Sequence, residues 1–288
     1  MSILLNRETR VLVQGITGSV GRVQTKWMLD YGTNIVAGVT PGKEGEVVEG
    51  VPVYNTVADS VAKQGVTASV IMVPPFAIKK AILEAIEAGL ELIVVITEHV
   101  PVHDIMELRA IAKERGTRII GSNSPGIITP GEAKMGIMPG IVFSPGRIGI
   151  ISRSGTLSYE ASANLSNVGL GQSTMVGIGG EPVIFSSMTE MLELFENDPG
   201  TDLVLLLGEV GGSQEEKAAE FIAQKMTKPV VACIVGYNAP DGKRMGHAGA
   251  LVHGSMGTQQ GKVAALRQAG VPVATHLLEV VDLVQKCL

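Results

Sequence analysis

Polar and apolar positions alternate in two rhythms along this chain. Short runs of Val, Ile and Leu are separated by longer stretches whose apolar residues fall three or four apart. In the first half, 10–14, 34–39, 69–73, 92–97 and 118–121 are apolar runs of strand length. Between them, 23–31, 78–88 and 105–115 carry helical spacing. Nearly continuous apolar strands separated by helices imply parallel strands buried on both faces. The pattern predicts a doubly wound sheet, with ligands at the C-terminal ends of its strands.

Proline and glycine then punctuate the chain as Pro125-Gly126, Pro130-Gly131, Pro139-Gly140 and Pro145-Gly146. Such clustering predicts a crossing between domains at 125–146, with 1–124 as the first domain and 147–288 as the second. The strand–helix rhythm restarts at 147–151, followed by a helix from Leu157. Further strands are expected at 203–207, 230–234 and 271–274, and helices at 187–195 and 214–225. The second half is thus another doubly wound unit, flavodoxin-like in rhythm. A length of 288 residues suits two domains.

Composition narrows the class. Hydrophobic residues make up 45% and aromatics only 3%, with 36 glycines, which is the profile of an aliphatic α/β protein. The net charge is −5, and no basic patch with interleaved aromatics occurs, so nucleic acid is not an expected partner. Cys233 and Cys287 have no metal-ligand spacing and form no disulfide framework; no metal site is expected. The charged start does not resemble a secretory signal, and no apolar run reaches the ~20 residues that span a bilayer. A cytoplasmic location is expected.

Gly15-Ile16-Thr17-Gly18-Ser19-Val20-Gly21 lies between the first strand and the first helix. Glycines let backbone N–H groups approach a phosphate, and a helix N-terminus adds partial positive charge. The plainer reading is an ordinary tight turn. Thr17 stands at the middle position of the dinucleotide glycine pattern. The second strand runs into Val39-Thr40-Pro41-Gly42-Lys43, where a dinucleotide site would carry Asp or Glu for a ribose diol. A lysine suits a ribose phosphate instead, as in NADP or the 3′-phosphate of coenzyme A, although a solvated surface lysine is common.

The second half holds a second constellation. Ser154-Gly155-Thr156 opens a helix directly after a buried-type strand, a further anion site. It is not a hydrolase elbow, because Ser152 stands where that turn needs glycine. Gly208-Glu209-Val210-Gly211-Gly212 places a carboxylate at a strand end. Gly246-His247-Ala248-Gly249-Ala250 sets an imidazole among small residues, with Lys243 and Arg244 upstream. A largely neutral imidazole suits a nucleophile or phosphoryl carrier, and a carboxylate on one ring nitrogen fixes which nitrogen reacts. Alone, His247 reads equally well as a loop residue without a role. His99 and His103 flank Pro101 close to Glu98 and are placed to touch a ligand; His253 and His276 read as structural or solvated.

Taken together, Gly15-x-Thr17-Gly18-x-x-Gly21, Thr40-Pro41-Gly42-Lys43, Pro125-Gly126-Ile127-Ile128-Thr129-Pro130-Gly131, Ser152-Arg153-Ser154-Gly155-Thr156, Gly177-Ile178-Gly179-Gly180, Gly208-Glu209-x-Gly211-Gly212 and Gly242-Lys243-Arg244-Met245-Gly246-His247 resemble the succinate–CoA ligase α-subunit family over essentially the whole chain. The resemblance implies a Rossmann-like CoA-binding domain followed by a flavodoxin-like ligase domain. It further implies that His247 takes a phosphoryl group from ATP or GTP, passes it to a carboxylic acid, and that CoA then displaces phosphate. By the same resemblance Thr17, Gly18, Ser19 and Val20 cradle CoA, Lys43 meets its phosphates, and Ile96, Thr97 and Glu98 line it further along. Ser154 and Gly155 hold the phosphate of phosphorylated His247, Glu209 orients that ring, and Tyr159 lies with the dicarboxylic acid. A β subunit supplies the nucleotide-grasp fold and binds most of the nucleotide and its Mg2+, so a hetero-oligomer is implied.

The chain departs from the family pattern at several positions. Ser124 replaces a cysteine, Val23-Gln24 replaces Phe-His, and Glu44, Glu181 and Phe185 stand where Gly, Asp and Gly are usual. These changes bring malate or citrate into view as the acid for the same mechanism. A nicotinamide-dependent oxidoreductase and a CoA-sensing regulator are the readings from other classes. The missing acidic residue after the second strand opposes the first. The intact set of His247, Glu209 and Ser154 opposes the second.

Overall fold

The computed structural model describes residues 2–288. Its first half contains β1 (Val11–Gln14), α1 (Ser19–Tyr31), β2 (Ile35–Val39), β3 (Val47–Val48), β4 (Val51–Tyr54), α2 (Val57–Gln64), β5 (Ala68–Ile71), α3 (Pro75–Glu87), β6 (Leu92–Val95), α4 (Val102–Arg115) and β7 (Arg118–Ile120). Every residue of β1, β5 and β6 is buried, as the unbroken apolar runs require. Among the described residues these strands form one seven-stranded sheet in the order β3-β4-β2-β1-β5-β6-β7. All pairs are parallel except the small hairpin of β3 and β4. The order reverses between β1 and β5, the switch point of a Rossmann-like sheet.

The hairpin at β3 and β4 went unpredicted because its strands are too short for periodicity to show. Glu49 and Gly50 both have positive φ, 51° and 82°, which is the two-residue turn that joins tight antiparallel strands. Helix starts also lie earlier than the periodicity placed them: α1 begins at Ser19 rather than 23, α3 at Pro75 rather than 78, α4 at Val102 rather than 105. A first helical turn is set by caps and by proline's fixed φ, not by an apolar stripe.

The second half contains β8 (Gly126–Thr129), β9 (Ala133–Gly136), β10 (Pro145–Ser152), α5 (Gly155–Asn167), β11 (Gln172–Gly177), α6 (Met188–Asn197), β12 (Leu203–Glu209), α7 (Gln214–Lys225), β13 (Val230–Val235), α8 (Gln259–Gln268), β14 (Val273–Ala274) and α9 (Leu277–Cys287). The described strands again form a seven-stranded sheet, in the order β14-β13-β12-β10-β11-β8-β9. Its parallel part has the flavodoxin-like order, with the switch point between β10 and β12.

The Pro/Gly stretch is more than a crossing. β8 and β9 make an antiparallel hairpin that extends the second sheet beyond β11. The same hairpin packs on the first domain: Thr33 Oγ1 donates to the Lys134 carbonyl at 2.8 Å and accepts from its N–H at 3.0 Å. Pro130-Gly131, read as punctuation, is the hairpin turn. One apolar core therefore runs from Val11 and Val70 through Ile127 and Met135 to Ile151 and Val204. Among the described residues no helix is long and apolar enough to cross a membrane.

Candidate active site

Both switch points open on one cleft of about 820 Å³. The first sheet contributes the start of α1, the segment after β5 and the 96–99 loop after β6. The second contributes Arg153, the start of α5, Tyr159 and His247.

The glycine loop after β1 turns so sharply that a Cβ at Gly21 would sit 2.2 Å from the Gly15 carbonyl oxygen. The first α1 bond runs from Arg22 N–H to the Gly18 carbonyl at 2.9 Å. The N–H groups of residues 19–21 precede it, so the positive end of the helix faces the cleft. Gly18, Ser19 and Val20 line this cleft. Thr17 does not; its hydroxyl bonds to Thr40 Oγ1 at 3.1 Å and ties the loop to the end of β2. Lys43 also lies outside the lining, half exposed, with Nζ 2.9 Å from Glu46. Glu44, expected to place negative charge near the cradle, is engaged by Lys63 at 3.2 Å and Asn55 at 2.9 Å.

The second anion loop is built on β10. Ser154 caps α5, its Oγ accepting from Leu157 N–H at 3.5 Å, while its own N–H donates to Ser152 Oγ at 3.1 Å. The helix starts at Gly155, two residues before the expected Leu157. A Cβ at Gly155 would lie 3.2 Å from the Tyr159 hydroxyl, so the ring lies over the helix start. Tyr159 stacks edge-on to Phe143 with centroids 6.3 Å apart. Burial pushes its phenol up to about 12, which keeps it a neutral donor at working pH.

His247 comes from the loop between β13 and α8. Its Nδ1 lies 2.9 and 2.8 Å from the two oxygens of Glu209. A carboxylate accepts only, so Nδ1 carries the proton. Nε2 has no hydrogen-bond partner among the described residues, and the ring lines the cleft. The Glu209 hydrogen bond and charge raise the imidazole above its usual 6.5, against the opposing effects of burial and Arg153. Glu209, at the end of β12, is 6% exposed. Gly180 is pressed against the ring; a Cβ there would meet His247 Cγ at 2.5 Å.

The structure thus brings Gly18, Ser19, Val20, Ile96, Thr97, Glu98, Ser154, Gly155, Tyr159 and His247 to one cleft, with Glu209 behind His247. Thr17 and Lys43 flank it. Three participants carried no assignment in the sequence. Arg153 bonds Glu209 from below, its Nη2 3.3 Å from Oε1; an arginine directly after a buried strand was the available signal. Glu181 is buried and accepts the His99 N–H at 3.0 Å, clamping the two domains together. Gly180 was quoted only as part of a motif. Of the departures, Ser124 lines the cleft but has its hydroxyl spent on Gly177 and Gly126. Phe185 is buried in the apolar cluster of the first domain, outside the cleft lining.

A protein-family model described as CoA binding domain matches residues 6–99, and one described as CoA-ligase matches residues 151–272. The chain is 52% identical over 288 residues to succinate–CoA ligase [ADP-forming] subunit alpha 1 of Archaeoglobus fulgidus, covering all of this chain and 99% of that one. It is 51% identical over 291 residues to the corresponding alpha subunit of Aquifex aeolicus, covering all of this chain and 95% of that one. Among solved structures, ATP citrate lyase from Methanothrix soehngenii, in complex with citrate and coenzyme A, superposes with a TM-score of 0.90 at 26% identity; the match spans 99% of this chain and half of that one.

Proposed function

The chain belongs to the succinate–CoA ligase α-subunit family, the catalytic class of acid–CoA ligases, and on that premise we propose that it works on succinate through phosphorylated His247. One observation carries the reading most: buried Glu209 holds His247 Nδ1 with both oxygens while Nε2 faces a cleft at two helix N-termini. That arrangement makes Nε2 the nucleophile. Its lone pair bonds the terminal phosphorus of ATP or GTP as the bond to the departing diphosphate breaks. We assign the donors for a phosphoryl group on Nε2 to the first amides of α5 and the Ser154 hydroxyl, which line the same cleft.

In the next step a succinate carboxylate oxygen takes the phosphoryl group. The N–P bond breaks, the imidazole returns to its neutral form, and an acyl phosphate results. CoA supplies the thiol that displaces phosphate from that acyl group. Tyr159, neutral and at the start of α5, is placed to donate to the acid. The cleft fits CoA on its own chemistry: unpaired amides at Ser19 and Val20 suit its phosphates, and the 96–98 wall runs on toward His247. Lys43 reaches a 3′-phosphate by exchanging its Glu46 partner.

We assign the nucleotide and its Mg2+ chiefly to a β subunit, and the division 1–124, 125–146 and 147–288 to a CoA-binding unit, a joining hairpin and a ligase unit. Citrate or malate as the acid would use the same residues. A test uses the chain co-produced with its β subunit and radiolabelled ATP. An acid-labile, alkali-stable label on His247, lost in His247→Asn together with turnover, is expected. Full turnover by His247→Asn would refute the carrier role. Thermal shifts with CoA, dephospho-CoA, NAD and NADP separate the remaining readings. At ~100 times its dissociation constant a ligand adds about 2.7 kcal/mol, and CoA is expected to stabilise most.

A further inference from the structure

Behind Glu209 runs a row of buried charges that no chemical step uses. Arg153 Nη2 lies 3.3 Å from Glu209 Oε1, and its Nη1 lies 3.3 Å from Glu215 Oε1. Nη1 also donates to the Gly211 carbonyl at 2.9 Å. Glu215 Oε1 accepts the backbone N–H of Glu209 at 3.2 Å. Glu215 Oε2 is paired with Lys262, which in turn reaches Glu216 at 3.0 Å and the Gly212 carbonyl at 3.1 Å. The side chains of Glu215 and Lys262 are 0% exposed and that of Arg153 is 4%.

Four elements contribute: the loop after β10, the end of β12, and helices α7 and α8. Stability alone does not account for the row, because apolar residues of similar size usually serve as well or better than buried ion pairs. β12 is also shaped for it, since a Cβ at Gly208 would meet Glu215 Cγ at 2.7 Å. Arg153 and Lys262 alternate with Glu209 and Glu215, and the partly exposed Glu216 pairs with Lys262 at the outer end. Arg153 and Glu215 end the row on Glu209, one at its carboxylate and the other at its backbone N–H.

We propose that Glu215 and Lys262 are positioning residues for phosphoryl transfer at His247. Glu215 fixes the Glu209 backbone and one end of Arg153; Arg153 fixes the Glu209 carboxylate; Lys262 holds Glu215 and balances its charge. The row thereby keeps Nδ1–H pinned and Nε2 free. This rests on His247 being the carrier. The charged groups facing the imidazole are Glu209 from β12, Arg153 from the loop after β10 and Glu181 from the loop after β11. Those facing Glu215 are Arg153, Lys262 on α8 and Glu216 on its own helix. Removing the Glu215 charge leaves Arg153 acting on Glu209 alone and disfavours imidazolium. Removing the Lys262 charge does the reverse.

The test is a pH titration of the full chain labelled with nitrogen-15 in histidine, reading the His247 ring nitrogens. Wild type is expected as the Nδ1–H tautomer with a raised midpoint. Glu215→Gln is expected to lower that midpoint by roughly 0.5 unit or more and to mix the tautomers, with the other histidines unchanged. Lys262→Met is expected to raise it. The double variant restores the charge balance and returns the midpoint toward wild type. If either single variant fails to fold, the other and the double decide. Folded variants with an unaltered midpoint and tautomer would overturn the proposal, as would a double variant shifted as far as Glu215→Gln. In the complex with the β subunit, Glu215→Gln is expected to slow phosphorylation of His247 by up to roughly 100-fold while KM for CoA holds. The titration needs no phosphorylation, so failure of the carrier reading and failure of the positioning role give different results.

Discussion

Gly180→Ala isolates the geometry of the His247 ring from its chemistry. Gly180 has an ordinary negative φ, so alanine brings no backbone strain of its own. The substitution does place a methyl carbon 2.5 Å from His247 Cγ, 2.8 Å from Cδ2 and 2.9 Å from Nδ1. Ordinary contact begins near 3.4 Å, so the ring must retreat by about 0.9 Å at Cγ. Retreat on that scale breaks the paired 2.8 and 2.9 Å approaches of Nδ1 to Glu209. A charge-assisted hydrogen bond of this kind is worth about 1.5–3 kcal/mol, and a misplacement near 1 Å costs up to roughly 100-fold in rate. Loss of that hydrogen bond should lower stability on the same scale, about 1.5–3 kcal/mol. The assay is phosphorylation of His247 in the complex with the β subunit, set beside a thermal melt. We expect labelling to slow by about one to two orders of magnitude while Tm falls by only about 3–10 °C, the protein remaining folded. Labelling within a factor of about two of wild type would refute the claim that a close glycine fixes this ring.

Glu209→Gln removes the main cause of the raised imidazole value, so the acidic limb of the phosphorylation rate moves to lower pH while the maximal rate falls. The stability sign follows from the same shift. A group raised by folding adds stability in full below its ordinary 6.5, and that contribution is lost as pH rises through the folded value. The Tm gap between wild type and Glu209→Gln should therefore be widest at about pH 6 and shrink on the alkaline side. Lys43→Ala removes only an exposed pair, worth ~0–1 kcal/mol, so stability should hold; CoA should bind several-fold more weakly while dephospho-CoA binds as before. Equal weakening of both ligands in calorimetry would exclude a 3′-phosphate contact. Ser154→Ala removes the α5 cap and should cost about 0.5–1 kcal/mol in denaturant melts, the low end because the cap bond is long at 3.5 Å. Retained His247 labelling would show that the amides alone hold the phosphoryl group.

The parallel strands were legible because burial on both faces writes itself as unbroken apolar runs; β1, β5, β6 and β12 all follow that rule. Part of what escaped was short or interrupted, although α2, β11, α8 and α9 also carried no assignment. β8 and β9 are four residues each, with glycine opposite glycine at one end of the pairing, Gly126 facing Gly136. Their register depends on backbones from two domains rather than on any apolar alternation. The glycine loops, the carboxylate and the histidine were legible because each residue type has few uses in its setting. Arg153, Glu215 and Lys262 were not, because a charged residue in a loop or a helical stretch reads as solvated until three-dimensional packing shows it buried. Lys43 shows the converse: its position after β2 suggests a contact, yet without a phosphate it settles on its neighbour Glu46.

The two domains divide the electrostatics between them. The first offers the cleft backbone dipoles, at the open amides of α1. The second offers a helix end at α5 and a buried, alternating row of side-chain charges. A net charge of −5 leaves the chain as a whole unattractive to phosphates. Attraction is therefore local, with each helix end worth about half a positive charge that acts within its first turn. Such a field holds a phosphoryl group without a full cation that would have to be shed at release. It also explains why the strongest pairing in the site is turned inward. Arg153 is paired with Glu209 and Glu215, so on the proposed role its charge stabilises the residue that orients His247 and would not trap a phosphoryl group carried there. A carrier must give up its cargo as readily as it takes it. Neutral donors at the start of α5, with Glu209 and Arg153 on the Nδ1 side, would meet both requirements in one imidazole.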